Sequence, residues 1–436
     1  MDYDLAIIGG GWAGFNAAIR ARQLGLKVCL VEKDKIGGTC LNRGCIPTKA
    51  LIQSTKIYSL ICKSSDFGIE TTNPQINFQR IQSRKDKIVQ QLSQGMNFML
   101  KGIDFIPKEA RILSPETISI GDRNIRVKFI LIATGSRPAE LRNIKFDGKK
   151  ILSSDDVLNL TRIPRSLLII GGGVIGCEFA SLFSVLGAQV TIVEKMPQLL
   201  PGEDKEIAKK IETIFKKRGI KVSTDTDALS LDLGNYELVL LSIGRVPQTY
   251  GLGIDNLGVN LEKDRIVVDE YLRSNIPNIY AAGDCCCAKF MLAHFAAYQG
   301  RVAAQNIACP GNPKRADNAV IPSCIFTDPE IASVGLNEDG AKNKGIDVLI
   351  NKFDFLGSGM ARILGETEGF IKIISDKNTS NVLGASIIGP RATELIGIFS
   401  LAISNNLKIS QIKDTIFAHP TLSEGIQEAL SKDYGL

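Results

Sequence analysis

A chain of 436 residues is too long for one small core and is sized for two to four domains. Its 44% hydrophobic and 22% charged residues are ordinary for a globular protein, and no stretch reaches the roughly 18 apolar residues of a membrane span. The net charge of +6 is spread along the chain, which argues against nucleic acid, and ten cysteines in this length suit a reducing compartment better than a disulfide scaffold.

The first strand is expected from about Tyr3. That leaves no signal or transit peptide ahead of the fold and predicts a cytoplasmic protein, or a mitochondrial-matrix one if processed. Leu5–Lys33 reads as a buried strand, a G-x-G-x-x-G turn (Gly9, Gly11, Gly14), a helix, and a second strand ending in Glu32 and Lys33. Residues Leu167–Lys195 repeat this unit without a gap. Fourteen of 29 positions are identical, and Gly171, Gly173, Gly176 and Glu194 fall in register. In such a turn one glycine makes the bend, one admits a pyrophosphate and one lets the helix close on the sheet. The anion then sits on unpaired N–H groups at the helix N-terminus, and the acid at the second strand's end accepts from a ribose. A single turn of this kind is often just a turn. Two copies in matching context predict two dinucleotides. Glu194 suits a free ribose and would repel a 2′-phosphate, so the second copy predicts NAD, although Lys195 stands beside it.

Directly after the first copy comes Gly37-Gly38-Thr39-Cys40-Leu41-Asn42-Arg43-Gly44-Cys45-Ile46-Pro47-Thr48-Lys49. The C-x4-C spacing alone does not separate a redox pair from unrelated core thiols. The two cysteines lie about 500° apart around an ideal helix, so they do not share a face. A bridge needs their Cα atoms within about 7 Å, which requires irregular backbone or a helix starting only at Cys45. Gly44 makes that possible and Pro47 suits a first helical turn. Farther on, Ile76–Lys101 carries Ile81, Ile88, Leu92, Met96 and Met99 at helical spacing and predicts a long amphipathic helix, its methionines filling core.

These motifs resemble the class I pyridine-nucleotide–disulfide oxidoreductases, and within them the dihydrolipoamide dehydrogenases, over nearly the whole chain from Leu5 to Glu428. The resemblance implies an α/β fold: two Rossmann-like dinucleotide domains, for FAD and NAD, and a C-terminal α+β dimerisation domain. The expected spans are 1–140 for FAD, 141–262 for NAD, 263–313 returning to the flavin domain, and 314–436 for the interface. Within the last, strands Gly369–Ile374 and Val382–Ile388 and helices Thr393–Asn405 and Leu422–Lys432 suit an antiparallel sheet with helices on one face.

Residue by residue, the resemblance makes Cys40 and Cys45 a redox-active disulfide. Cys45 lies against the flavin as the charge-transfer thiolate and Cys40 exchanges with substrate. It assigns to tightly bound FAD, one per subunit, Gly9, Gly11, Gly14, Glu32, Lys33, Gly38, Thr39, Lys49, Ala110, Thr134, Gly135, Asp284, Met291, Leu292 and Ala293. Taken alone, Asp284 would also read as a helix cap. For NAD it assigns Gly171, Gly173, Gly176, Glu178, Glu194 and Gly244, the last within a closing loop Leu241–Arg245. Lys49 and Glu178 match an ion pair between the nucleotide domains.

The run Ala418-His419-Pro420-Thr421-Leu422-Ser423-Glu424 matches the family's H-P-T-x-S-E motif. It makes His419 the base that takes a thiol proton, with Glu424 orienting it. In the family that histidine comes from the other subunit of a homodimer. The other histidine, His294, sits in an apolar run and reads as structural.

The implied activity is NAD-dependent oxidation of protein-bound dihydrolipoamide, with lipoyl domains of an acyltransferase (E2) or a glycine cleavage H-protein as partners. A glutathione-type reductase should carry basic residues near position 194. A mercuric reductase should end in a cysteine pair, whereas this chain ends Asp433-Tyr434-Gly435-Leu436. A mainly scaffolding flavoprotein should have lost catalytic positions, and none is lost. Three departures from the family stand out: a short segment between Ala228 and Leu238 where relatives carry a β-hairpin, the triplet Cys285-Cys286-Cys287, and Phe417 where a second histidine is common. The triplet reads as small buried residues rather than a metal site, for lack of a spaced partner.

Overall fold

In the computed structural model, which describes residues 1–287, 290–317 and 320–431, three sheets organise the chain. The first is built on β1 (Tyr3–Ile8), whose residues Leu5–Ile8 are all buried, as a parallel strand covered on both faces requires. β1 pairs in parallel with β2 (Val28–Val31). On its other side it pairs with residues 127–132, so Leu5 lies between Val28 and Phe129. The connection from β1 to β2 is helix α1 (Trp12–Gln23), and α2 (Gly38–Arg43), α3 (Cys45–Cys62) and α4 (Phe78–Met99) follow. β3 (Asp104–Ile106) extends the sheet beyond β2. β4 (Ala110–Ser114), β5 (Thr117–Ile120) and β6 (Arg123–Ile132) form an antiparallel meander whose last strand runs on into the parallel sheet.

The second sheet is wholly parallel. It comprises β7 (Ile151–Leu152), β8 (Ser166–Ile170), β9 (Gln189–Val193), β10 (Lys221–Ser223) and β11 (Leu238–Leu241) in the order β10-β9-β8-β11-β7. Helix α5 (Val174–Val185) links β8 to β9, and α6 (Lys205–Lys217) links β9 to β10. Between β10 and β11 stand two single 3-10 turns, Ala228–Ser230 and Leu233–Asn235. Asp227 and Asp232 cap them through the N–H groups of Leu229 and Gly234. Leu252, Ile254 and Val259 then pack with Ile112 and Ile118 of the first domain. The chain is thus back against the first sheet ahead of residue 263, where the sequence places the return. β12 (Ile279–Ala281) joins that sheet beside β6, and α7 (Ala293–Ala308) crosses α1 so closely that a Cβ on Gly300 would lie 2.1 Å from the Ala13 carbonyl oxygen.

The third sheet is antiparallel, with β13 (Ser323–Ile325), β14 (Glu330–Gly335), β15 (Val348–Asp354), β16 (Phe370–Asp376) and β17 (Val382–Gly389) in the order β13-β14-β17-β16-β15. Alternate residues divide its two faces. Ile371, Ile373, Ala385 and Ile387 share a core with α8 (Ala392–Ser404) and α9 (Glu424–Ser431), whereas Phe370 and Ile388 turn to the core of the second domain. Lys372, 1% exposed, seals that junction. It meets Asp204 Oδ2 at 3.0 Å and Glu206 Oε1 at 2.8 Å, and it contacts Glu338. Such a buried cation is tolerable because three carboxylates surround it.

Helix α4 matches the sequence expectation in extent but not in packing. Phe78 and Lys85 alone are buried along it, Met96 is partly buried, and Met99 is half exposed rather than core filler. Hydrophobic spacing announces a face; it does not say whether this chain itself covers that face. Lys432, where the last helix was expected to end, lies outside the described residues. Among the described residues no helix is long and apolar enough to cross a membrane.

Candidate active site

The two glycine turns are built alike. Gly9 has φ +110°, and a Cβ there would stand 2.3 Å from the Ala133 carbonyl oxygen; Gly171 has φ +106°, with the Ser242 carbonyl oxygen at 2.5 Å. A side chain is excluded at both by backbone, not by a movable neighbour. In the first copy Glu32 accepts from Gly10 N (2.7 Å) and Asp34 N (2.8 Å). In the second, Glu194 accepts from Gly172 N and Met196 N, both at 2.7 Å. Each carboxylate is thereby locked at its turn, where its remaining lone pairs can receive ribose hydroxyls.

Around the first turn opens a cavity of about 1220 Å³, above the usual size of a small-molecule pocket and suited to a dinucleotide. Every residue assigned to the flavin lines it except Gly14, which faces the carbonyl of Gly9 inside the turn. Donor chemistry and space both fit FAD: a glycine cradle at a helix N-terminus, an acid at the strand end, and a long trough beyond.

Cys40 and Cys45 open into this cavity as thiols. α2 stops at Arg43 and α3 starts at Cys45, because Gly44 takes φ −145°, ψ −116°, with a Cβ position 2.9 Å from the Thr39 carbonyl oxygen. That break brings two sulfurs together which one continuous helix would keep apart. The Cys40 thiol donates to Cys45, and Lys49 adds its charge, lowering the Cys45 pKa to about 7 against the desolvation that the cavity walls impose. The same hydrogen bond, together with burial, pushes Cys40 well above the thiol range. In the reduced pair, one proton stays on Cys40 and Cys45 is the thiolate.

Three domains meet beside the dithiol. Lys49 Nζ, on α3, lies 2.8 Å from both carboxylate oxygens of Glu178 on α5, and it stands over the Phe326 ring, 4.7 Å from its centroid. Glu178 Oε1 also accepts from Phe326 N at 2.9 Å. Opposite, Asp284 Oδ2 accepts from Ser136 Oγ (2.6 Å), and the Arg245 guanidinium donates to both the hydroxyl and the carbonyl of Ser136 at 2.8 Å. Burial raises Asp284 and depresses Arg245. Asp284 follows β12 without opening a helix, so its reading as a helix cap does not hold.

His419 lies elsewhere. Its side chain is 81% exposed, and it is not among the residues lining the cavity. Its Nδ1 is 2.7 Å from Glu424 Oε1, and Glu424 Oε2 accepts from Thr421 N at 2.7 Å, which fixes the carboxylate and lowers its pKa. His294 Nε2 sits 2.9 Å from the Pro322 carbonyl oxygen, and burial lowers its pKa.

Family comparison agrees with this architecture. Residues 3–300 match the model of the pyridine nucleotide-disulphide oxidoreductases, and residues 321–430 match that family's dimerisation domain. A dihydrolipoyl dehydrogenase of Bacillus subtilis is 41% identical, the alignment covering 98% of this chain and 97% of the relative. Another from Chlamydia trachomatis is 40% identical over 97% and 95%. The chain is a pyridine nucleotide-disulphide oxidoreductase. Among solved structures, LpdA from Mycobacterium tuberculosis superposes on this oxidoreductase with a TM-score of 0.90 at 27% identity, covering 98% of each chain. The HOCl-induced flavoprotein disulfide reductase RclA from Escherichia coli does so at 0.88 and 28%, covering 98% of this chain and 99% of that one. Family membership implies use of a flavin and a pyridine nucleotide, and the matched dimerisation domain supports a homodimer.

In this disulphide oxidoreductase the residues assigned to the second nucleotide divide. Gly171, Gly173, Gly176 and Glu194 shape the second turn, and Gly244 lies in the exposed loop after β11 with φ +119°. Glu178, assigned with them, instead faces the flavin cavity and holds Lys49. Cys285 and Cys286 are buried behind Asp284 in the first domain's core. Ser136 and Arg245 follow Gly135 and Gly244 directly, yet the sequence pattern singles out neither. Their signal was present, a hydroxyl and a cation next to glycines at strand ends, but only folding shows that they share one hydrogen-bond set.

Proposed function

We propose that this oxidoreductase is a dihydrolipoyl dehydrogenase that oxidises protein-bound dihydrolipoamide with NAD+, as the E3 component of 2-oxoacid dehydrogenase or glycine cleavage complexes. The reading rests above all on the reduced pair opening into a dinucleotide-sized cavity, with Cys45 as thiolate and Cys40 as thiol. Bound FAD would accept the electron pair of the dithiol and hand a hydride to NAD+.

The chain's own residues carry the exchange. A substrate thiolate attacks Cys40 of the disulfide, the Cys40–Cys45 bond breaks, and its electron pair stays on Cys45. Lys49 and the Cys40 environment hold that charge. His419 of the partner subunit takes the proton of the entering substrate thiol; the second substrate thiol then attacks the substrate sulfur bonded to Cys40 and passes its proton to the departing Cys40 thiolate. Lipoyl disulfide leaves and both enzyme cysteines are reduced. Glu424, 2.7 Å from the imidazole Nδ1, keeps the ring oriented.

One tightly held FAD per subunit, a preference for NAD set by Glu194, docking to lipoyl domains and a cytoplasmic location complete the proposal. Steady-state NADH formation from dihydrolipoamide, set against NADPH consumption with glutathione disulfide, tests it. Activity confined to the second assay would reject it. Cys45→Ser should keep yellow flavin and lose lipoyl turnover at least a thousandfold; full turnover in that variant would remove the role given to Cys45.

A further inference from the structure

Each glycine turn is braced by the segment that follows its acid-bearing strand. In the first, Gly37 N donates to the Gly10 carbonyl at 2.8 Å; in the second, Leu200 N donates to the Gly172 carbonyl at 2.8 Å. Leu200 is 3% exposed and holds φ +49°, a left-handed backbone that a leucine keeps only where its surroundings over-determine it. Its buried neighbour Leu199 presses on the same turn, because a Cβ on Gly172 would lie 2.5 Å from Leu199 Cδ2. Glu203 N closes the bend onto the Leu200 carbonyl at 2.9 Å. The next residue, Asp204, caps α6 through Oδ1, which accepts from Glu206 N at 2.9 Å.

The other oxygen of that carboxylate leaves the domain. Asp204 Oδ2 is 3.0 Å from Lys372 Nζ on β16 of the antiparallel sheet, and side-chain exposure is 1% for the lysine and 4% for the aspartate. The lysine's remaining partners, Glu206 and Glu338, are both more than 40% exposed. The desolvated contact is therefore the one to Asp204, four residues from Leu200.

We propose that Lys372 is a positioning residue for the pyridine nucleotide: from the third domain it holds the 199–204 bend against the second glycine turn. The inference rests on that turn being the nucleotide site. Apolar packing alone keeps the two domains together, since Ile207, Ile211 and Phe215 of α6 share a core with Phe370 and Ile388. Such packing tolerates small shifts, whereas a buried ion pair fixes one arrangement at little net gain in stability. With the lysine gone, the bend is free to relax its left-handed residue. The Gly172 carbonyl then loses its donor, and the N–H groups that receive the pyrophosphate lose their set direction. The first turn has no such dependence, because its brace leads into the dithiol segment.

The test is calorimetric titration of oxidised, flavin-loaded enzyme with ADP-ribose, which carries the pyrophosphate and adenosine but no nicotinamide. Lys372→Met keeps the apolar stem and removes the charge, and its Kd should rise about tenfold. Flavin content should not change. This variant also leaves Asp204 buried without a counter-ion, so it should melt lower. Lys372→Met combined with Asp204→Asn separates the two effects. Asparagine still caps the helix and carries no charge, so melting should recover while the Kd stays high.

Affinity that returns together with stability would overturn the proposal and leave the lysine a purely structural part. Parent-like affinity in Lys372→Met would overturn it as well, and so would a parent enzyme that does not bind ADP-ribose. If the single variant does not fold, the double variant decides; failure of both to fold would assign the pair to stability and also overturn it. No lipoyl substrate enters these titrations. The expected change in Kd, found in an enzyme without dihydrolipoamide turnover, would remove the proposed function and leave the role of Lys372 standing.

Discussion

The two glycine turns share sequence, backbone and the hydrogen bonds of their acids, yet they sit in different surroundings. At the first, Gly38 comes so close that a Cβ on it would lie 2.8 Å from Gly11 Cα, and the dithiol segment closes one side of the cavity. At the second, the corresponding Gly173 has nothing within 4 Å of a Cβ position. The same anion cradle is thus walled in at the first copy and open at the second. The turn specifies a pyrophosphate; the packing around it suits a resident cofactor in one case and an exchanging one in the other.

The largest separation of the two should come from the helix-facing glycines. A Cβ at Gly14 would stand 1.8 Å from the Gly9 carbonyl oxygen, and one at Gly176 would stand 2.0 Å from that of Gly171. Gly14→Ala is expected to yield protein without flavin or no folded protein at all. Gly176→Ala should keep its flavin, read by absorbance, and lose NAD-dependent turnover. Equal flavin loss in both would break the comparison.

Next in size is the tie between the copies. Lys49→Gln leaves Glu178, 3% exposed, without its counter-ion and should cost about 3 kcal/mol by denaturant unfolding. It should also raise the Cys45 titration, because the Lys49 charge favours that thiolate and the Glu178 charge opposes it. Glu178→Gln should move Cys45 the opposite way.

A smaller effect concerns pH and belongs to the first copy only. The Cys45 pKa falls from 9.0 to about 7, so its stabilising contribution to the reduced fold is complete above the unfolded value and disappears as pH drops through about 7. Thiolate absorbance of the reduced protein should have its midpoint there, and Cys45→Ser should erase it. The smallest effect is expected for Gly173→Ala, whose Cβ meets open space. Thermal stability should stay within about 0.5 kcal/mol of the parent while the KM for NAD rises.

Much of the centre was legible because its signals are short. Glycine spacing, the acid at the strand's end and the break at Gly44 each act within one supersecondary unit, and they occur where the periodicity placed them. The Thr421–Glu424 turn that steadies His419 is equally local. Harder to see were groups joined across the chain. Arg245 reaches Ser136 over 109 positions and Asp284 meets it over 148. Met99, placed in a core by its spacing, lies half exposed at the C-terminal end of α4.

Motif order was sufficient for two dinucleotide turns with a C-x4-C pair directly after the first, and the family resemblance those motifs carry implied the α/β class, the redox role of that pair and a histidine–carboxylate pair far down the chain. Those features depend on backbone geometry and near neighbours, which a linear pattern encodes directly. Folding alone decided that Phe326 joins the Lys49–Glu178 pair from a third domain and that Ser136 links Arg245 to Asp284. Each of those depends on how surfaces remote in sequence exclude water from one another, and burial of that kind has no period to read.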